Sequence, residues 1–205
     1  MSELSFDRTI RYEALRSQVR PGDVFAFSGT GLPSETVKIA TQSEFVHVAI
    51  VHSVDLNQRQ RGSILIAESH IDTSLPSVGT GKKSLGAQLQ WLRDRMEQST
   101  TPIWWAPLTT PLTTHQITKM QAWLQEIEQN QTPYDFVQAI GAGMEAMTVL
   151  NVHNPADFSA LFCSELVTRA LQLAQVIDPS VNASEQTPAQ VMKFPCLRSP
   201  LQVLR

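Results

Sequence analysis

Cys163 is the residue of this sequence best suited to covalent chemistry. It lies in the segment LFCSELVTRAL, which follows the loop-like stretch NPADFSA and is rich in helix-forming residues. This context predicts a helix over about 162–174 with the thiol in its first turn. The helix dipole and the unpaired backbone N–H groups there favour a thiolate and would hold an oxyanion. The chemistry indicated is nucleophilic attack on a carbonyl.

A cysteine on the inward face of a helix also has a purely structural interpretation. Cys163 shares that face with Leu166 and Val167, and buried cysteines usually act as small apolar side chains. Cys196, in KFPCLRSP, has no such helical setting and is interpreted as structural. The nucleophile hypothesis therefore requires a base and a group that orients the base.

His47 is the candidate base because it interrupts an otherwise apolar strand, FVHVAIV. A lone histidine in such a strand is commonly a core residue, so the hypothesis needs a partner for it. Glu68 ends the next apolar run, SILIAES, and a carboxylate there is costly unless something pairs with it. An imidazole on the neighbouring strand would be that partner. The residues thus leave His47 as a candidate base for Cys163, with Glu68 as a candidate partner on the neighbouring strand.

A metal site is an alternative use of the same polar residues. His70 shares the face of Glu68 on a regular strand, so these two side chains could bind one ion. His47 and His52 fall on opposite faces of their strand and would not chelate a metal together. No further ligand has suitable spacing, so neither a metal nor another cofactor is predicted.

The elements that would position these residues indicate an α+β fold. Apolar or β-branched runs typical of strands occur in VFAFSG, FVHVAIVHS, SILIAES and PIWWAPL, and the second and third form a hairpin pattern. Helical spacing of apolar residues predicts helices over 84–99 and 113–130, the latter with a capping box at Thr113 and Gln116. Strands precede helices without βαβ alternation, which favours an antiparallel sheet.

Composition limits the classes of protein that fit. The chain has 205 residues, of which 42% are hydrophobic and 17% charged, as in one globular domain. A net charge of -3 gives no basic footprint for nucleic acid. The absence of a signal-peptide pattern and of a long apolar run predicts a cytoplasmic protein without an integral membrane segment. One domain is expected over 1–205, with its core in about 20–175 and a Pro-rich, mostly irregular tail over 176–205.

Five segments in sequence order resemble the circularly permuted papain-like cysteine hydrolases, NlpC-like proteins of the YiiX/YebB branch. They are RPGDVFAFSG, SEFVHVAIV, ILIAES, TPYDF and LFCSELVTRAL. The histidine precedes the cysteine, as in the permuted branch, whereas unpermuted relatives have the opposite order. The resemblance implies a papain-like architecture, in which a small antiparallel sheet or barrel packs against helices and the nucleophile lies at a helix N-terminus.

The resemblance also implies roles for individual residues. By position, Cys163 matches the nucleophile, His47 the general base and Glu68 the group that orients the imidazole. Tyr134 and Asp135 match a Tyr-Asp pair near the family's site, which makes Tyr134 a candidate substrate-binding residue.

Three functions fit this pattern. The first is a cysteine peptidase or amidase that acts through a thioester on a small peptide, such as one of cell-wall type. The second is an acyltransferase or lipid amidase, in which Trp104, Trp105 and the apolar segment around Met144 and Met147 would line an acyl groove. The third is a catalytically silent binding module that uses the same cleft. Phe162 and Val46 stand where Tyr and Ser are common in the family, so the preferred substrate is left open. The sequence does not indicate an oligomeric state.

Overall fold

A mixed α+β fold is built around one sheet that carries most of the predicted site residues. The computed structural model describes residues 8–30, 34, 38–39, 41–56, 63–70, 74–83, 85–131 and 158–205. The expected α+β class is confirmed within these residues. Tyr134 and Asp135 lie outside them.

The sheet has seven strands among the described residues. In chain order they are β1 (Thr9–Arg11), β2 (Val24–Phe27), β3 (His47–Val54), β4 (Ile64–His70), β5 (Gly86–Trp91), β6 (Ile103–Ala106) and β7 (Leu201–Leu204). Across the sheet the order is β1-β7-β6-β2-β3-β4-β5. Every neighbouring pair is antiparallel except β1 with β7, so the predicted antiparallel arrangement holds for all but one edge.

Helices cover the sheet and join its strands. They are α1 (Tyr12–Arg16), α2 (Leu92–Gln98), α3 (Thr114–Gln129), α4 (Phe158–Leu173) and α5 (Pro188–Val191), with a 3-10 turn at Ala183–Glu185. The predicted capping box of α3 is confirmed. Thr113 Oγ1 accepts from the Gln116 backbone N–H at 3.3 Å, and Gln116 Oε1 accepts from the Thr113 N–H at 2.8 Å. None of the helices in the described part of the chain has both the length and the apolar character needed to cross a bilayer.

Both faces of the central strands are buried, which explains their nearly continuous apolar sequences. Alternate residues of β3 point to opposite faces. Val48 and Ile50 pack in a cluster with α3, α4 and α5, whereas Ala49 and Val51 pack in a second cluster with α1 and α2. The helix that carries Cys163 packs directly against β3 and β4. The sheet and α4 together can therefore bring a strand residue and a helix residue to one site.

The prediction of one helix over 84–99 is wrong, because this segment is strand β5 followed by helix α2. Within β5, Gln90 Nε2 donates to Gln88 Oε1 at 2.8 Å, as expected of residues two apart on one face of a strand. Leu89 lies on the other face and pairs in register with Ala67 of β4. Pairing with β4 therefore overrides the helical spacing of the leucines.

The tail over 176–205 is mostly irregular, as predicted, but it also contains short regular elements. Strand β7 lies in this tail and joins the sheet between β1 and β6. An isolated bridge also links Leu197 to Leu108. Proline restricts the backbone at its own position but leaves the residues after Pro200 free to pair as a strand.

Asp23, in the turn before β2, is expected to be a major determinant of stability. Its buried carboxylate accepts from the backbone N–H of Arg20 at 3.0 Å and of Leu108 at 2.9 Å, and from Trp105 Nε1 at 3.0 Å. Asp23→Ala leaves three donors without an acceptor, so the free energy of unfolding should fall by about 3 kcal/mol or more. Urea denaturation would measure this loss. Asp178→Ala, at an exposed site, should cost less than about 1 kcal/mol, and equal losses would contradict the prediction.

Candidate active site

His47 lies at the end of the sheet, as the first residue of β3. It pairs in register with Phe27, the last residue of β2, and the two rings lie 5.4 Å apart. The ring of His70, from the end of β4, meets the His47 ring edge-on at 4.7 Å. Strand alternation places His47 on the same face as Ala49 and Val51, and only 6% of its surface is exposed. The imidazole is therefore held between aromatic neighbours and shielded from solvent.

Glu68 of β4 approaches the His47 ring, as the strand pattern predicts. The register pairs Glu68 with Ala49, which puts the carboxylate diagonally across from His47 on one face of the sheet. Glu68 Oε2 lies 2.7 Å from His47 Nε2. The glutamate side chain is 1% exposed, so this contact forms in a site from which water is excluded.

Arg95 is a member of the site that the sequence reasoning missed. Its Nε lies 2.8 Å from Glu68 Oε1, and its side chain is only 11% exposed. Arg95 belongs to α2, where it lies three residues after Leu92 and one before Met96, both of which are buried. The sequence does contain a sign of this role, because Arg95 has the spacing of the apolar face of its helix. A guanidinium buried on that face requires a buried anion as its partner.

The charges of these groups stabilise one another. Burial raises the pKa of Glu68, but Arg95 and then His47 more than reverse that effect and lower it from 4.5 to about 2. Burial likewise lowers the pKa of His47, but the Cys163 sulfur and then Glu68 outweigh burial and raise it from 6.5 to about 9. At neutral pH the pair is therefore a carboxylate and an imidazolium.

Cys163 lies in the apolar cluster on the opposite face of the sheet from Ala49 and Val51, and it approaches His47 at the end of β3. It lies in α4, is fully buried, and is close enough to His47 for its sulfur to raise the pKa of the imidazole. Glu68 occupies Nε2 of the ring, so Nδ1 is the nitrogen left for the sulfur. Nδ1 is buried and has no nitrogen or oxygen partner among the described residues. The structure thus brings together all three residues of the predicted triad.

The position of Cys163 within its helix differs from the prediction. Helix α4 begins at Phe158, more than one turn before Cys163, because the residues from Phe158 onward contain no helix breaker. The expectation of a nucleophile at a helix N-terminus is therefore wrong. In a regular helix the Cys163 N–H bonds to a carbonyl one turn earlier, and the dipole effect is confined to the first turn. Stabilisation of a thiolate consequently depends on His47.

The other candidate ligands do not assemble into a metal site. His70 packs against the ring of His47, and His52 Nδ1 is 3.1 Å from the neighbouring Ser53 hydroxyl. In the part of the chain that the structure describes, no group of three or more His, Cys, Asp or Glu residues is arranged to hold a metal ion. Cys196 is partly buried, and burial raises the pKa of its thiol to about 11. Candidate Tyr134 lies outside the described residues.

The site is therefore a buried series of four side chains: a thiol, an imidazole, a carboxylate and a guanidinium. An imidazole that contacts both a thiol and a carboxylate can take up a proton from sulfur and return it to a leaving group. Neither a protein-family model nor a curated protein sequence matches this chain.

Proposed function

We propose that this protein is a cysteine hydrolase that cleaves an amide or ester through a thioester on Cys163. The observation that carries the proposal is the bridging position of His47, which contacts Glu68 through Nε2 and interacts with Cys163. A structural cysteine in an apolar core needs no imidazole partner. A histidine that only filled the core would need no ionised carboxylate behind it.

The proposed reaction has two steps. In the first, the Cys163 sulfur, having given its proton to His47, attacks the carbonyl carbon and forms a C–S bond, while the carbonyl π electrons move to oxygen. When the tetrahedral intermediate collapses, the bond to the leaving group breaks and His47 supplies the proton that the leaving group needs. In the second, His47 removes a proton from water, which attacks the thioester and releases Cys163. Glu68 keeps the imidazole oriented in both steps.

The fold supports a permuted papain-like arrangement as part of this proposal. A helix that carries the cysteine packs on a mainly antiparallel sheet that carries the histidine, and the histidine comes first in the chain. The oxyanion donor of the proposal is not the Cys163 N–H, because that residue lies beyond the first turn of α4. The proposed substrate is a small peptide or another acyl amide, with cell-wall-type peptides as the first class to test.

The alternative of acyl-chain transfer loses one of the two features that suggested it, whereas the segment around Met144 and Met147 lies outside the described residues. Trp104 and Trp105 lie in the apolar clusters on opposite faces of the sheet. Trp104 packs edge-on against Phe45 at 5.1 Å, and Trp105 donates to the buried Asp23. Both indoles are thus part of the core, and they do not form one groove. Hydrolysis is therefore the function that the site supports best.

The proposal is tested by the reactivity of Cys163 as a function of pH. Iodoacetamide should modify Cys163 at neutral pH, because the adjacent imidazolium favours the thiolate. Cys196 should stay unmodified there, since burial raises the pKa of its thiol to about 11. Mass spectrometry of peptides labelled between about pH 5 and pH 9 gives both rates in one sample. Because access also limits a buried thiol, the pH dependence is more informative than the absolute rate.

A second reagent tests the carbonyl chemistry directly. An activated acyl ester should leave an acyl group on Cys163, detectable as a mass increase that hydroxylamine removes. Cys196→Ser should leave this reaction unchanged. If Cys163 reacts with neither reagent until the protein is unfolded, the thiol is structural and the hydrolase proposal is wrong.

A further inference from the structure

We infer that Arg95 is a positioning residue of this site, one that holds the Glu68 carboxylate so that His47 stays directed at Cys163. The inference rests on the proposed function and extends the triad by one side chain. Arg95 does not touch the reacting atoms, so its effect must pass through Glu68 and His47.

The carboxylate of Glu68 is held at both of its oxygens. Oε1 lies 2.8 Å from Arg95 Nε, and Oε2 lies 2.7 Å from His47 Nε2. The contact at Oε1 is an ion pair without the geometry of a hydrogen bond. The attraction of the guanidinium, added to the contact at Oε2, opposes rotation of the carboxylate about its last torsion and favours one plane. That plane sets the direction in which Glu68 meets the imidazole. It thereby also sets the direction of Nδ1, the ring nitrogen left for the sulfur.

The backbone around Arg95 gives it a defined position. Helix α2 follows β5 directly, and β5 pairs with the strand of Glu68, with Gln88 opposite Glu68 in register. The buried side chains of Leu92 and Met96 anchor α2 against the sheet on either side of Arg95 in sequence. The guanidinium therefore lies on a helix whose position is fixed by packing, as a positioning role requires.

Arg93, on the same helix, is exposed and lies away from the site. Arg93 is 53% exposed and pairs with the equally accessible Glu97 at 3.0 Å. An exposed pair of this kind contributes little, because solvent screens it. Arg93 is thus a matched control for Arg95, since it has the same side chain on the same helix but does not contact the site.

Charged and titratable groups face Glu68 from several elements. They are His47 on β3, His70 on its own strand and Arg95 on α2, with Cys163 of α4 on the far side of the His47 ring. Without the arginine, a buried carboxylate loses its permanent cation and more readily takes up a proton. A protonated Glu68 no longer favours the imidazolium, and the thiolate that depends on the imidazolium becomes rarer.

The experiment compares Arg95→Met, Arg95→Lys and Arg93→Met with the wild type. The His47 imidazole is titrated by NMR, and Cys163 alkylation is followed against pH. Arg95→Met should move the His47 titration to lower pH and slow alkylation at neutral pH by about tenfold. Arg95→Lys keeps the charge but not the planar fork, so its values should lie between those of Arg95→Met and the wild type. Arg93→Met should have the same His47 titration and the same Cys163 alkylation rates as the wild type.

Circular dichroism and thermal melting establish which variants are folded. If Arg95→Met is folded and its His47 titration matches the wild type, the positioning role is wrong. If Arg95→Met does not fold, the test of the inference rests on Arg95→Lys. A His47 titration of Arg95→Lys identical to that of the wild type would again overturn the inference. Failure of the hydrolase proposal would look different. Cys163 of the wild type would then take no acyl group, even though the His47 titration still responded to Arg95.

Discussion

Cys163→Ala is expected to abolish hydrolysis, with a loss on the order of 10⁴-fold or more in kcat/KM for any acyl substrate that the wild type cleaves. Alanine has no atom that can form the thioester, so the remaining groups can only bind the substrate. The variant should also titrate differently. The Cys163 sulfur helps to raise the pKa of His47, so removing it should shift the His47 titration to lower pH.

Loss of stability is not expected to account for this effect. Cys163 is fully buried in the cluster between α4 and the sheet, so its removal leaves a small cavity. Loss of one sulfur atom should cost about 1 kcal/mol, which a stable domain tolerates. Chemical denaturation of both proteins under the assay conditions would verify that the variant remains folded.

Cys196→Ala is the matched control for Cys163→Ala. It removes the same group from a partly buried position outside the site, so it should retain nearly full activity. Cys163→Ser is informative as well, because it restores volume and polarity but puts a hydroxyl next to His47. A serine hydroxyl ionises far less readily than a thiol, so this variant should also be inactive. Substantial turnover by Cys163→Ala would exclude the thioester mechanism.

The pairing of His47 with Glu68 could be predicted because it follows from two strong local constraints. A polar side chain within an apolar strand must find a partner, and a strand period of two fixes the face on which it can do so. The hairpin pattern also predicted that β3 and β4 are neighbours, as they are in the sheet. Few alternative partners satisfied both constraints.

Arg95 and the start of α4 could not be predicted in the same way. The segment around Arg95 contains both the alternation of a strand and the spacing of a helix, and pairing with β4 decides where one changes to the other. That decision depends on residues distant in sequence. Helix α4 begins at Phe158 because no breaker prevents it, and the Asn-Pro-Ala-Asp motif just before it drew the predicted boundary too far toward Cys163. Local patterns give weak limits on helix ends.

The parallel pair of β1 and β7 is a further case of long-range structure. Ile10 pairs in register with Val203, so the two strands come from opposite ends of the chain. Three or four residues carry too little periodicity to be recognised as a strand. Their strand geometry depends on pairing with distant segments, since β7 pairs with β6 as well as with β1.

Glu68→Gln is expected to have a large effect on stability, and that effect should depend on pH. At neutral pH the variant removes the buried carboxylate that contacts Arg95 and His47, which should lower the free energy of unfolding by about 3 kcal/mol. Glu97→Gln removes a carboxylate from an exposed pair with Arg93 and should change stability by less than about 1 kcal/mol. Urea denaturation of the three proteins at a series of pH values provides the comparison.

The sign of the pH dependence follows from the pKa of Glu68. Burial raises this pKa, but Arg95 and then His47 lower it by a larger amount. The pKa of Glu68 therefore falls from its usual value of 4.5 to about 2 in the folded protein. A carboxyl group with a depressed pKa contributes stability that is fully present above about pH 4.5 and is lost as the pH falls toward about pH 2. The advantage of the wild type over Glu68→Gln should therefore be greatest between about pH 4.5 and pH 6.5. At higher pH it should decline as His47, whose pKa Glu68 helps to raise from 6.5 to about 9, loses its proton. The advantage should shrink by about 3 kcal/mol over the acidic range, since each pH unit is worth about 1.4 kcal/mol.

This pH dependence distinguishes an ionised Glu68 from one that is merely well packed. Glutamine has nearly the same shape, so a loss caused by poor packing would be the same at every pH. A difference that shrinks below about pH 4.5 requires the negative charge, and Glu97→Gln should show no such trend at its exposed site. If the difference between the wild type and Glu68→Gln stays constant down to the pH at which the wild type unfolds, Glu68 is not held as a carboxylate. The imidazolium beside Cys163 would then lack the anion that the proposed mechanism requires.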